Sequence, residues 1–149
     1  MNLQTLARGA VAGTLATVPM TAVMGLGQLA GWMVTPPPKE VTAAAQQETG
    51  IRTEVGQPAF TVSWIGAHIA FGAASGALFT AGRSRFPSSP MLAGMVYGTT
   101  LWAVAYGAVL PALGLYPSLA DDSHSRTGVM LVAHEVFGVA LGTLSSRRS

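Results

Sequence analysis

Two histidines and one acidic residue stand out chemically from the apolar sequence around them. His68 lies in residues 67–78, AHIAFGAASGAL, and His134 lies in residues 133–144, AHEVFGVALGTL, with Glu135 directly after it. An ionisable side chain inside a long apolar segment is costly, so its presence indicates either a function or a hydrogen bond between helices. Imidazole and carboxylate groups can join helices, relay protons or bind a metal.

The two histidine segments are repeats of each other. They share the alanine, the histidine, the phenylalanine, both glycines, one inner alanine and the final leucine. Residues 9–14 and 94–99 also share a fainter Gly-x3-Gly-Thr pattern. Residues four apart lie on one helix face, and glycines at that spacing allow two helix backbones to approach closely in lipid. The predicted helix-packing glycines are Gly9, Gly13, Gly72, Gly76, Gly94, Gly98, Gly138 and Gly142.

The elements that position these residues are four apolar segments, at residues 9–34, 60–81, 91–115 and 127–145. A helix needs about 20 residues to cross a bilayer. Only 9% of the chain is charged, against about 25% in soluble domains. We therefore predict one all-α domain over residues 1–149. It is an integral membrane four-helix bundle made of two tandem helical hairpins, with a short helix at about residues 39–49 in the outer loop.

Flanking charges predict the orientation of this bundle. One side carries arginines and no acidic residue, whereas the other side carries both basic and acidic residues. The arginine side includes both termini, so the positive-inside rule places the termini in the cytoplasm. The arginines of the first side are Arg8, Arg83, Arg85, Arg147 and Arg148. The other side has Lys39, Arg52 and Arg126 beside Glu40, Glu48, Glu54, Asp121 and Asp122.

Several classes of function are disfavoured by the sequence. Cysteine is absent, which excludes disulfides, c-type haem attachment, cysteine-ligated zinc and iron–sulfur clusters. The basic residues form no patch that favours nucleic acid. Nucleophile elbows, P-loops and dinucleotide fingerprints are missing from the sequence. We therefore predict a non-enzymatic accessory or structural unit surrounded by membrane lipid, either as a homo-oligomer or within a larger membrane complex.

Three main interpretations of the histidines remain open, and quinone or lipid binding is a further alternative. In the first, His68, His134 and Glu135 form a polar clasp between helices, and no cofactor is present. In the second, the two histidines ligate one haem b, because helices about 9 Å apart place diagonal members of a bundle about 13 Å apart. In the third, the three residues form a proton or small-ion path, or a weak metal site.

Three segments resemble the YagU-like bacterial inner-membrane proteins. They read HIAFGAASGALF, LAGMVYGTTLWAVAYGAVLPALGLYPS and AHEVFGVALG, and they fall between residues 60 and 145. The resemblance lies in a histidine-bearing helix, a glycine-rich helix ending in Pro111, Gly114 and Leu115, an outer loop and a second histidine-bearing helix. It implies a multi-pass protein of the bacterial inner membrane and implies no activity or cofactor, because that family has none assigned.

Overall fold

A computed structural model describes residues 2–51 and 56–146 of the chain. All regular secondary structure in these residues is helical, which confirms the predicted all-α class. The helices are α1 (Leu3–Leu29), α2 (Pro37–Glu48), α3 (Gln57–Gly82), α4 (Pro90–Val104), the short α5 (Leu110–Ala112) and α6 (His124–Ser146). A 3-10 turn at Arg83–Arg85 follows α3, and a wide π-helical turn at Ala105–Val109 joins α4 to α5.

Four helical segments are long and apolar enough to cross a membrane. They are Leu3–Leu29, Gln57–Arg85, Pro90–Ala112 and His124–Ser146, and each is close to one of the four predicted spans. A bilayer core about 30 Å thick is crossed by about 20 helical residues. Length and composition therefore support a membrane protein with four candidate spans.

The first span differs from its predicted boundaries at both ends. It begins at Leu3 instead of residue 9, because the Asn2 side chain caps the helix by accepting a hydrogen bond of 2.9 Å from the Thr5 N–H. It ends at Leu29 instead of residue 34, and Gly31 follows with a φ of +74° that favours glycine. The helix continues through Pro19.

The third span also ends earlier than predicted, at Ala112 instead of residue 115. Its last part contains the π turn, where the N–H of Leu110 bonds to the carbonyl of Ala105, five residues back. Pro111 follows this turn, and a proline ring in a regular helix clashes with the carbonyl four residues before it. The wider turn relieves that clash, and Gly114 then ends the segment with a φ of +67°.

The remaining helix boundaries, including the end of α3 at Gly82, differ by one to three residues, as is usual for helix ends. The second and fourth spans begin at Gln57 and His124 instead of residues 60 and 127. The outer-loop helix covers Pro37–Glu48 instead of 39–49, because Pro37 suits a first helical position. Gly50 follows it with a φ of +73°.

The four long helices pack side by side, with α1 against α3 and α6, and with α4 against α6. Glycines form close backbone contacts in two of these helix pairs. A Cβ added at Gly13 would collide with the backbone oxygen of Gly72, and one added at Gly94 would collide with the backbone oxygen of Gly138. At these glycines the backbones of α1 and α3, and those of α4 and α6, are therefore in close contact.

The two ends of the molecule differ in charge. At one end, Arg8 and Arg83 border a cavity together with the last residues of α6. At the other end, Arg126 forms ion pairs with Glu40 at 3.0 Å and with Asp122 at 2.6 Å. These positions agree with the predicted grouping of charges. Arg52, Glu54, Arg147 and Arg148 also belong to that prediction, but they lie outside the described residues.

Candidate functional site: a cavity lined by both histidines

His68 and His134 line one cavity of about 370 Å³. Its walls come from α3 on one side and from the α4–α5 segment on the other, and α2 covers the end nearest the ion pairs. Met20 of α1 and His134 of α6 form part of the lining. Apart from the histidines, Tyr106 and Thr42, the lining side chains are apolar. The two repeated histidines therefore face a common apolar space.

His68 is 8% exposed and links α3 to α1 through its ring. Its Nε2 lies 3.2 Å from the hydroxyl of Thr21. Thr21 has one hydroxyl proton, which it donates to the carbonyl of Thr17 at 2.8 Å. The Thr21 oxygen therefore accepts the hydrogen bond from Nε2–H of His68. In the neutral ring this arrangement leaves Nδ1 with a lone pair.

His134 is only 1% exposed, and its ring is fixed within its own helix. Its Nδ1 lies 2.8 Å from the carbonyl oxygen of Met130 and donates to it, because a carbonyl can only accept. In the neutral ring Nε2 then carries the lone pair. The two histidines are thus held by different partners and in opposite tautomers, and each retains one nitrogen that can accept a hydrogen bond or bind a metal.

Tyr106, which the sequence prediction did not include in the site, packs edge-on against His134 with 5.6 Å between ring centroids. Its ring also packs edge-on against Tyr116, with 5.1 Å between the ring centroids. The Arg126 guanidinium in turn lies 5.0 Å from the Tyr116 ring centroid. Tyr116 donates a hydrogen bond of 3.3 Å to Asp122, and burial raises the pKa of its phenol above the ordinary value. An aromatic column therefore connects His134 to the ion pairs at the end of the molecule.

The position of Tyr106 depends on the π turn, and sequence periodicity did not reveal it. Tyr106 lies within this turn, whose fifth residue is Val109. A π turn contains one more residue than an α-helical turn, so the helical spacing used to assign faces no longer applies there. Pro111, which follows the turn, was the available signal of irregular geometry.

Glu135 does not line the cavity. Its Oε1 contacts the hydroxyl of Thr99 on α4, and its Oε2 is buried without a hydrogen-bond partner in the part of the chain that the structure describes. Within residues 2–51 and 56–146, no three histidine or acidic side chains are grouped so that they could hold a metal ion. The structure therefore brings His68 and His134 to one cavity and directs Glu135 to a separate contact.

Comparison with known proteins assigns the chain to a family. The model of a family of unknown function, DUF6789, matches residues 3–149. The chain belongs to the DUF6789 family. Neither the curated proteins nor the solved structures contain a match to the chain. Because the family has no assigned function, membership does not indicate what this DUF6789 protein does. The resemblance to YagU-like proteins stays a prediction.

The cavity of the DUF6789 protein opens on the side of the molecule between α3 and α4. Phe71 of α3, Val104 of α4 and Val109 of the π turn line it, and all three are exposed. Exposed apolar side chains on helices of this length and composition suit contact with acyl chains. The cavity therefore reaches an apolar part of the molecular surface.

Each histidine of the cavity has one ring nitrogen with a lone pair, and the chemistry of these two nitrogens limits what the histidines can bind. They can accept hydrogen bonds from a ligand, or they can ligate a metal of a cofactor. His134 fits the second role, because a metal-binding histidine commonly donates its other N–H to a backbone carbonyl. His68 would ligate through Nδ1, because its Nε2–H is donated to the Thr21 hydroxyl. The volume is also near the lower end of the range of ligand sites, and the backbone contacts at Gly13 and Gly94 hold the helix pairs close together.

Proposed function

We propose that this chain is a non-enzymatic multi-pass membrane protein that binds a small lipid-soluble molecule between its two histidines. The observation that carries the proposal is that His68 of α3 and His134 of α6 line one apolar cavity. Occupancy of that cavity would make the protein an accessory unit, in the bacterial inner membrane and within a larger complex or a homo-oligomer, that holds or presents its ligand.

We also propose that the four spans form a bundle of two tandem hairpins with both termini in the cytoplasm. The glycine contacts support the repeat, because Gly13 with Gly72 in the first hairpin corresponds to Gly98 with Gly138 in the second. The end of the molecule with Arg8 and Arg83 supports the orientation, because basic residues are retained on the cytoplasmic side. The two histidines would then occupy equivalent positions of the two halves.

The ligand class follows from the histidine tautomers. Each ring offers one acceptor nitrogen, so the site favours a molecule with hydroxyl donors on a flat or extended apolar body. A membrane quinol has this chemistry, with two hydroxyls on opposite sides of one ring. The apolar lining supplies the remaining affinity through burial of the ligand, at about 25 cal/mol per Å².

A binding experiment in detergent tests this proposal. A short-chain quinol, kept reduced, is titrated into the wild type, His68→Gln, His134→Ala and the control His124→Ala, and thermal unfolding is followed. His124 is the matched control because it is exposed and lies outside the cavity. Ligand at a hundred times its Kd stabilises the folded state by about 2.7 kcal/mol.

We expect the quinol to stabilise the wild type and His124→Ala, and to lose this effect in the two cavity variants. His68→Gln retains a donor for Thr21, so the test does not depend on a variant that loses the contact between α1 and α3. Equal stabilisation of the wild type and both cavity variants would refute the proposal.

Haem b is the second candidate, and the hydrogen bond from His134 Nδ1 to Met130 favours it. The two histidines would hold the iron, which would supply one-electron chemistry when bound. An absorption spectrum of the purified protein decides between the two candidates. A Soret band that disappears in His68→Ala and His134→Ala would establish haem, whereas a colourless protein that binds quinol would exclude it.

Conduction of protons or small ions stays a prediction of the sequence. The path would need His68, His134 and Glu135 together, and Glu135 contacts Thr99 outside the cavity. Proteoliposomes test it directly, because a pH-dependent flux that Glu135→Gln abolishes would establish the path. Flux equal to that of empty liposomes would reject it.

A further inference from the structure

A second cavity, of about 530 Å³, lies at the opposite end of the molecule from the ion pairs. The first residues of α1, the end of α3, the start of α4 and the end of α6 surround it. Arg8 and Arg83 line it, and hydroxyl-bearing residues form much of the remaining wall. The lining includes no acidic residue. The cavity therefore combines positive charge, polar groups and a volume that is typical of small-molecule sites.

From this cavity we infer a binding site for a phosphate group at the cytoplasmic ends of the helices, in which Arg8 and Arg83 are the positively charged side chains that bind it. Arginine suits phosphate because its planar guanidinium presents several N–H donors in a fixed geometry. Basic pockets between membrane-spanning helices on the cytoplasmic side commonly bind anionic lipid headgroups. A lipid headgroup and free phosphate offer the same chemistry, so the two sources have to be separated by experiment.

Arg83 is held in position by the loop that follows it. Its Nη1 donates to the carbonyl of Pro87 at 2.7 Å, and its Nη2 donates to the carbonyl of Ser88 at 2.8 Å. A guanidinium has five N–H groups, so these two bonds leave donors for a ligand. Because the side chain is already fixed, a phosphate group would bind it with little loss of conformational freedom.

The charge distribution of the sequence around the cavity adds to the attraction. Acidic residues are absent from residues 1–39, from residues 55–120 and from residues 136–149. These segments include all four helix ends that surround the cavity. The start of α4, at Pro90, also contributes the positive end of a helix dipole. A phosphate group would meet no negatively charged side chain from these segments.

The site is tested by titrating the full-length protein in a non-ionic detergent with three probes. They are inorganic phosphate, short-chain phosphatidylglycerol and phosphatidylcholine of the same chain length, and the readouts are calorimetric binding and thermal unfolding. The variants are Arg8→Gln and Arg83→Gln. Arg85→Gln is the matched control, because Arg85 carries the same charge in the same loop and does not line the cavity.

We expect Arg8→Gln and Arg83→Gln each to weaken binding about tenfold, the typical effect of losing a charged hydrogen bond. Arg85→Gln should weaken it by less than about threefold, because exposed charges at a distance are screened by salt. Binding of phosphatidylglycerol over phosphatidylcholine would identify a lipid headgroup as the source. Binding of inorganic phosphate with the same dependence on the variants, and no preference between the lipids, would identify free phosphate.

Two results would overturn the inference. One is that neither phosphate nor phosphatidylglycerol binds better than phosphatidylcholine to the wild type. The other is that Arg85→Gln weakens binding as much as Arg8→Gln, since this would show diffuse attraction instead of a site. Arg8 is exposed, so Arg8→Gln keeps the test valid even if Arg83→Gln loses its loop contacts and unfolds. The quinol titration concerns the other cavity, so quinol binding and phosphate binding can each be refuted without affecting the other.

Discussion

Replacement of Gly138 by alanine should separate α6 from α4. A Cβ at this position would collide with the backbone oxygen of Gly94 and would lie 2.8 Å from its carbonyl carbon. Both atoms belong to the α4 backbone, so no flexible side chain can move aside. The helices would have to move apart along the contact that also contains Gly98 and Gly142.

The expected loss of stability can be worked out from two opposing effects. Overpacking in a close contact costs about 1–3 kcal/mol, and a gap of about 0.5–1 Å removes a quarter to a half of the dispersion energy of each affected contact. Alanine gains about 0.5–1 kcal/mol over glycine within a helix. The net loss is about 1–2 kcal/mol, or roughly 3–8 °C in melting temperature for a chain of this size.

Thermal unfolding in detergent measures this effect, with Gly128→Ala as the matched control. Gly128 is on the same helix, and a Cβ added there meets no atom within 4 Å. Gly128→Ala should therefore melt at or slightly above the temperature of the wild type. If Gly138→Ala also melted at or above the melting temperature of the wild type, the backbones of α4 and α6 would not be in close contact at Gly94 and Gly138, and the prediction would be refuted.

Two further predictions concern charged groups. Arg126→Gln should cost about 3–5 kcal/mol, because it removes the positive charge that pairs with the Asp122 carboxylate, whose side chain is only 3% exposed. Glu40→Gln should cost at most about 1 kcal/mol, since the Glu40 side chain is 33% exposed. Equal losses of stability for Arg126→Gln and Glu40→Gln, measured by urea or thermal unfolding, would contradict this ranking. Glu135→Gln should leave stability unchanged or raise it by about 1 kcal/mol. The glutamine keeps an oxygen that accepts from Thr99, and it removes the carboxylate, whose Oε2 is buried without a hydrogen-bond partner in the described chain. A lower melting temperature of Glu135→Gln would contradict this prediction.

Much of the fold could be predicted because the solvent imposes it. Four long apolar segments can satisfy their backbone groups in lipid only as helices, so the number and approximate position of the spans followed from composition. The ends were harder to predict, because local contacts decide them. The Asn2 cap begins the first helix ahead of its apolar segment, and the π turn before Pro111 changes the last part of the third.

The site could be predicted only in part. The repeat and the four-residue spacing pointed to His68 and His134, and both line the cavity. The sequence could not show that Thr21 would bind one ring, because that hydrogen bond joins residues 47 positions apart. It also could not separate Glu135 from its neighbour, because adjacent residues differ by about 100° around a helix and a long side chain can reach either face.

The sideways opening of the histidine cavity, between Phe71 and Val104, affects how any occupant would be captured. A molecule arriving from the bilayer has already left water and is confined to a thin layer. Part of the translational and rotational freedom that binding removes has therefore been lost before it meets the protein. Saturation would then depend on the molar ratio of the compound to phospholipid. A Kd expressed per litre of buffer would change with the amount of detergent or lipid in the sample.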